Sequence, residues 1–120
     1  MDNITLVFGA SLKPERYSNK AIHALIDKNY GVVAFGLRVG NIRGVKINNK
    51  LPLKIAIDTV TLYLNAGRQK EYYSYLVNLK PRRVIFNPDT ENFELISILE
   101  KEGIITEIAC TLVLLSIGNY

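Results

Sequence analysis

Tryptophan is absent from this chain, and cysteine and histidine occur once each, as Cys110 and His23. A lone cysteine cannot form a disulfide within the chain, so the fold must rest on its hydrophobic core, and a reducing compartment suits it. One histidine, one cysteine and scattered carboxylates give no metal-ligand spacing. No Ser-His-Asp set can be assembled either, so neither a metal nor a catalytic residue is assigned. His23 is read as an ordinary helix residue and Cys110 as a packing residue. Long apolar runs are missing: the stretch from Leu112 to Leu115 is far too short to span a bilayer. The first four residues, Met1 to Ile4, lack the basic segment and apolar stretch of a secretory signal. Low-complexity tracts and internal repeats are missing as well. These absences describe a soluble cytoplasmic protein with no membrane partner.

What is present fits a globular fold. The chain has 120 residues, 48% hydrophobic and 22% charged, the usage of a single ordinary domain spanning residues 1–120. The net charge of +4 is uneven. Residues 1–60 carry nine Lys/Arg against four Asp/Glu, a balance of +5, and residues 61–120 carry six against seven, a balance of −1. A basic half is what an anionic partner would select. The tyrosines at 72, 73 and 75 crowd one segment far from that basic half, which favours core packing or a subunit interface, with a homo-oligomer or protein partner left open, over nucleic-acid stacking.

Apolar runs alternate with amphipathic stretches. Ile4 to Phe8, Val32 to Phe35, Asp58 to Leu64, Arg83 to Phe86 and Ile104 to Ala109 read as strands. Helical spacing begins at Ser18, with Ile22, Leu25, Ile26 and Asn29 on one face. Ser18 is placed to cap that helix and Gly31 to stop it. Further helices are expected over 69–79, with Tyr72, Leu76 and Leu79 inward, after the turn 87–90, with Phe93, Ile96 and Leu99 inward, and over 111–117. Residues 38–54 hold Gly40, Gly44, Asn48, Asn49 and Pro52 and read as a loop with a short extended piece near Val45 to Ile47. The expected fold is α/β and Rossmann-like: a doubly wound, mostly parallel sheet of about five strands with helices on both faces. Such a sheet binds its ligand at the carboxyl ends of the strands, near the topological switch point.

The loop after the first strand carries the chemistry. In Gly9-Ala10-Ser11-Leu12-Lys13-Pro14-Glu15-Arg16-Tyr17-Ser18, Gly9 permits a sharp turn and close backbone approach to a ligand. Ser11 supplies a hydroxyl, Lys13 and Arg16 supply positive charge, and the next helix begins with free amides and a positive dipole end. Together these suit a phosphate. The G-x-G-x-x-G fingerprint is absent, because only Gly9 has a counterpart in it. The acidic residue that would bind a ribose hydroxyl pair after the second strand is replaced by Gly36-Leu37-Arg38. An arginine there suits a phosphate on the ribose. NAD is therefore disfavoured, while coenzyme A, with its 3′-phosphate, and NADP, with its 2′-phosphate, both remain.

The opening from Gly9 to Ser18 resembles the G-x-S-x-x-P-x-R-x-S start of the small bacterial CoA-binding-domain proteins. These are similar to the N-terminal CoA-binding domain of the succinyl-CoA synthetase alpha subunit. Gly31-Val32-Val33, Asp58-Thr59-Val60-Thr61-Leu62 and Ala109-Cys110-Thr111 extend the resemblance over nearly the whole chain, which departs from the family at Gly36-Leu37 and at Asn87-Pro88-Asp89. The resemblance implies a stand-alone protein that binds coenzyme A or an acyl-CoA, without an evident reaction; the alternative reading is a small enzyme that is NADP-dependent or uses an acyl-CoA. It implies that Gly9, Ala10, Ser11, Lys13, Pro14, Arg16 and Ser18 line the nucleotide, that Arg38 meets a phosphate, and that Leu64, Asn65 and Ala66 wall the crevice.

Overall fold

The computed structural model describes residues 3–120. Runs of β-branched and aromatic residues form strands where expected: β1 (Ile4–Phe8), β2 (Gly31–Phe35), β5 (Thr59–Leu62), β6 (Arg83–Phe86) and β7 (Ile105–Ile108). Between β2 and β5 lie β3 (Gly40–Ile42) and β4 (Val45–Asn48). The sheet order is β3-β4-β2-β1-β5-β6-β7, with every pair parallel except β3 with β4. The described residues thus form seven strands rather than about five. The extended piece expected near Val45 to Ile47 is β4, and β3 is the strand that was not expected; the two form a hairpin whose left-handed turn is Arg43 (φ 50°) and Gly44 (φ 93°).

Among the described residues, five helices accompany the sheet. On one face, α1 (Tyr17–Asp27) and α5 (Thr111–Ser116) bury Ile22, Leu25 and Leu115 against Val7, Ala34 and Ile47. On the other, α3 (Tyr73–Leu79) and α4 (Phe93–Lys101) bury Leu76, Leu95 and Leu99 against Leu6, Phe8, Val60, Leu62, Val84 and Phe86. Alternate residues of β1 serve the two faces, as a strand's two-residue period requires. The short helix α2 (Ala66–Gln69) and a 3-10 turn (Lys70–Tyr72) precede α3. The helical segment therefore starts three residues before the expected Gln69. Phe8, Phe35 and Tyr72 meet with ring centroids 4.9–5.7 Å apart, so half-buried Tyr72 packs its ring against the core.

Several local expectations are corrected. The residue before α1 is Arg16, which makes no capping bond, and Ser18 lies inside the helix, buried. Gly31 opens β2; Asn29, left-handed at φ 65°, ends the helical path, with the Tyr30 amide donating to the Leu25 carbonyl, and so Asn29 is not on the helix's inner face. In α4 the buried residues are Leu95 and Leu99, while Phe93 is 73% exposed. Asn92 caps that helix by accepting from the Leu95 amide, which sets the first turn's orientation and turns Phe93 outward.

At the amino ends of the strands, Arg82 grips Asp58 with two hydrogen bonds of 2.9 and 3.0 Å. That guanidinium, aided by the Thr59 hydroxyl, holds the Asp58 carboxyl below its usual range despite partial burial. A depressed folded pKa contributes stability that is present above the unfolded value and lost as the pH falls through the folded one. The variant Asp58→Asn is thus expected to be less stable than the wild type at neutral pH, and the gap should close below about pH 4. Urea melts at a series of pH values measure this.

Candidate functional site

Strand order alone locates the crevice. From β1 the chain runs outward to β2, then crosses back to β5 on the other side of β1, so the loops leaving β1 and β5 diverge at the switch point. A cleft of about 530 Å3 opens there, at the carboxyl ends of β2, β1, β5 and β6. Its walls are residues 9–13 and 16–18 after β1, residues 35–38 at the end of β2, residues 63–65 with Arg68 after β5, Tyr72, and residues 88–90 after β6.

The β1 loop is held by its backbone. Gly9, at φ 104°, turns the chain so that the Gly9 and Ala10 amides both donate to the Phe35 carbonyl, at 2.9 and 2.8 Å. A side chain at Gly9 would press on Leu64 and on the Tyr63 backbone, so Leu64 forms the floor beneath the turn. Ser11 Oγ accepts from the Lys13 amide, which leaves its proton free to donate outward. Buried Asn19 reaches back from α1 to the Ser11 carbonyl. Pro14 fixes the corner of a turn closed by the Arg16 amide and the Lys13 carbonyl. The amides of Ser11 and Leu12 have no protein acceptor among the described residues. The start of α1 lacks a side-chain cap, so its first amides also remain available to an anion at the cleft.

The charge is one-sided. Lys13, Arg16, Arg38 and Arg68 are exposed cations in the lining, Asp89 is the acid there, and among the described residues none of these five is in an ion pair. The Tyr63 hydroxyl is not part of this charge pattern: it is buried beside Thr61 and Thr111, which lie outside the lining, without a hydrogen-bond partner among the described residues, and burial pushes its phenol up to about 12.

Of the residues singled out in the sequence, Gly9, Ala10, Ser11, Lys13, Arg16, Ser18, Arg38, Leu64 and Asn65 all line this one cleft. Pro14 and Ala66 stand outside the lining: Pro14 shapes the turn, and Ala66 is the first residue of α2. The Asn65 side chain caps α2 by accepting from the Arg68 amide, so its carbonyl oxygen is committed. Arg68, Tyr63 and, in the loop after Phe86, Pro88, Asp89 and Thr90 also line the cleft and were not among the residues singled out. The signal for Arg68 was available, since it lies four residues beyond Leu64 in a loop already marked. His23 points elsewhere, toward Arg43 at the β3–β4 turn, and half-buried Cys110 precedes α5 outside the lining.

A buried polar chain joins the two far walls. The Gln69 amide donates to the Leu64 and Thr90 carbonyls, both at 2.8 Å, and accepts from Asn92. Asn87 donates to Thr61 and to the Leu62 carbonyl and accepts from the Thr111 amide. These bonds tie the β5 and β6 loops into one wall.

These features define a doubly wound α/β protein with a cationic cleft at its switch point. Residues 3–116 match the CoA binding domain family, and the chain belongs to that family. A crystal structure of an uncharacterized protein is 42% identical, with a TM-score of 0.95 over 100% of this chain and 99% of that one. A hypothetical protein from Pyrococcus horikoshii OT3 is 27% identical, with a TM-score of 0.80 over 92% of this chain and 78% of its own. The acetyl-coenzyme A synthetase 1 of Ca. Korarchaeum cryptofilum shares the fold at 13% identity, with a TM-score of 0.72 over 88% of this chain and 25% of that one. No curated protein sequence matches the chain. No helix among the described residues is long and apolar enough to cross a membrane.

Proposed function

We propose that this protein is a stand-alone cytoplasmic binder of coenzyme A or an acyl-CoA, holding the cofactor in the switch-point cleft and leaving any reaction to a partner. The observation that carries this reading is the convergence on one cleft of the uncapped start of α1, the β1-loop amides of Ser11 and Leu12 and four cations, these amides and cations having no protein partner among the described residues. The diphosphate sits against residues 9–13 and the first turn of α1, where backbone amides and the helix dipole favour it. Arg38, one strand over at the end of β2, takes the phosphate on the ribose. The apolar side chains of Leu12, Leu37 and Leu64 flank the less polar parts of the molecule. Family membership supports the choice of coenzyme A. NADP is the alternative that the same Arg38 would serve.

Calorimetric titration tests this. Arg38→Ala is expected to weaken coenzyme A by about ten- to a hundred-fold, the worth of a charge-assisted hydrogen bond, while dephospho-CoA changes little. Equal losses for the two ligands would remove Arg38 from the ribose phosphate. NADP binding more tightly than coenzyme A in the same titrations would replace the ligand.

A further inference from the structure

The cleft is polar in charge from end to end. Its lining follows the strand order β2-β1-β5-β6, three strand spacings or about 14 Å across. Arg38 stands at the β2 end, Lys13 and Arg16 on the β1 loop, Arg68 after β5, and Asp89 alone at the β6 end. Asp89 sits at φ 74°, and of the five described non-glycine residues with left-handed backbone it is the one that lines the cleft. Asn29, Arg43, Lys54 and Lys80 carry the same conformation away from it. Aspartate tolerates that conformation but gains nothing from it over glycine, so its carboxylate is the feature that distinguishes the position.

We propose that Asp89 is a specificity-determining residue that discriminates against acyl groups ending in a carboxylate, so that the site favours the free thiol or neutral acyl thioesters of coenzyme A. The inference rests on the coenzyme A reading above. Coenzyme A carries its phosphates beside the adenosine and its thiol at the end of a long uncharged arm. With the ribose phosphate at Arg38 and the diphosphate at the β1 loop, the arm leaves toward β5 and β6 and brings the acyl group to the Asp89 end. A second carboxylate arriving there meets like charge across a few ångströms of partly screened solvent. That corresponds to about a five-fold loss of affinity. Arg68 is the competing influence, because a carboxylate that reached it instead would be attracted, and the sign of the effect therefore decides between the two.

The test is titration of acetyl-CoA, succinyl-CoA and coenzyme A into the wild type and into Asp89→Asn, which keeps the shape and tolerates the same backbone. The wild type is expected to bind succinyl-CoA about five-fold more weakly than acetyl-CoA, and the ratio should approach one in Asp89→Asn. Asp89→Gly, which removes the charge and the backbone strain together, should give the same ratio. Succinyl-CoA binding the wild type as tightly as acetyl-CoA or more tightly, or a ratio unmoved by both variants, overturns the proposal. If coenzyme A itself fails to bind the wild type, the cleft assignment falls and this inference falls with it; normal coenzyme A binding without discrimination sinks Asp89 alone.

Discussion

Gly36→Ala is expected to lower the melting temperature by about 10 °C and to weaken coenzyme A at least ten-fold. A Cβ at residue 36 would lie 2.3 Å from the Ala10 carbonyl oxygen and 3.1 Å from its carbon, which are backbone atoms that no rotamer change can clear. Its third neighbour, the Ile47 side chain at 3.2 Å, closes the other side. The two loops cross here because Gly36 donates to the Asn48 carbonyl while the Gly9 and Ala10 amides donate to Phe35. Relief requires the β1 loop to shift outward, at an overpacking cost of about 1–3 kcal/mol, which for a chain of this size corresponds to the stated fall in melting temperature. The displaced loop is the one that holds the diphosphate, so stability and affinity fall together. Gly67→Ala is the control: a Cβ there meets only Asn65 Oδ1, at 3.5 Å, and the backbone is helical. It should leave affinity within a factor of about two and raise stability slightly. Thermal melts and titrations on both variants check the contrast.

Gln69→Leu is expected to cost about 2–4 kcal/mol, because a side chain of similar size would leave the buried Leu64 and Thr90 carbonyls without their donor. Gln69 itself is fully buried, so water cannot substitute. The Asn92 amide loses one acceptor but keeps the Tyr73 hydroxyl. Because Gln69 ties the β5 loop to the β6 loop, the variant should also show faster amide exchange at residues 63–65 and 88–90 than the global loss of stability accounts for. Urea denaturation measures the first effect and hydrogen exchange the second. Exchange that rises uniformly over the sheet would mean that the two loops are not coupled through Gln69.

Local signals revealed most of the fold. The strands at 4–8, 32–35 and 83–86 were legible because buried parallel strands are dense apolar runs, and the alternation of helices with them implied two covered faces. The hairpin at 40–48 was legible only in part: an extended piece near Val45 to Ile47 was expected, but not its partner β3 or their pairing. Its strands are three and four residues long and owe their pairing to the edge of β2, a tertiary partner that no local pattern encodes. The end of α1 was misplaced for a related reason: Asn29 takes the left-handed corner that glycine usually fills, which freed Gly31 to begin a strand. Phe93 was read as inward from spacing alone, but the cap at Asn92 rotates the helix so that Leu95 and Leu99 face the sheet.

The cleft divided in the same way. Its β1 wall was readable because turn, cations and helix start are contiguous in sequence. Arg68 and Asp89 come from different crossovers and share a site only through the strand order. The Gln69 clamp was hidden because a buried glutamine cannot be told from an exposed one in an amphipathic stretch.

The most direct measurement is a backbone amide NMR titration of the full chain with coenzyme A. Saturable shifts concentrated at Gly9 to Lys13 and Tyr17 to Asn19, weakening toward the distant β3–β4 turn, are the expected result. Shifts confined to other surfaces, or none at millimolar ligand, would contradict the claim that this turn and helix start hold the diphosphate.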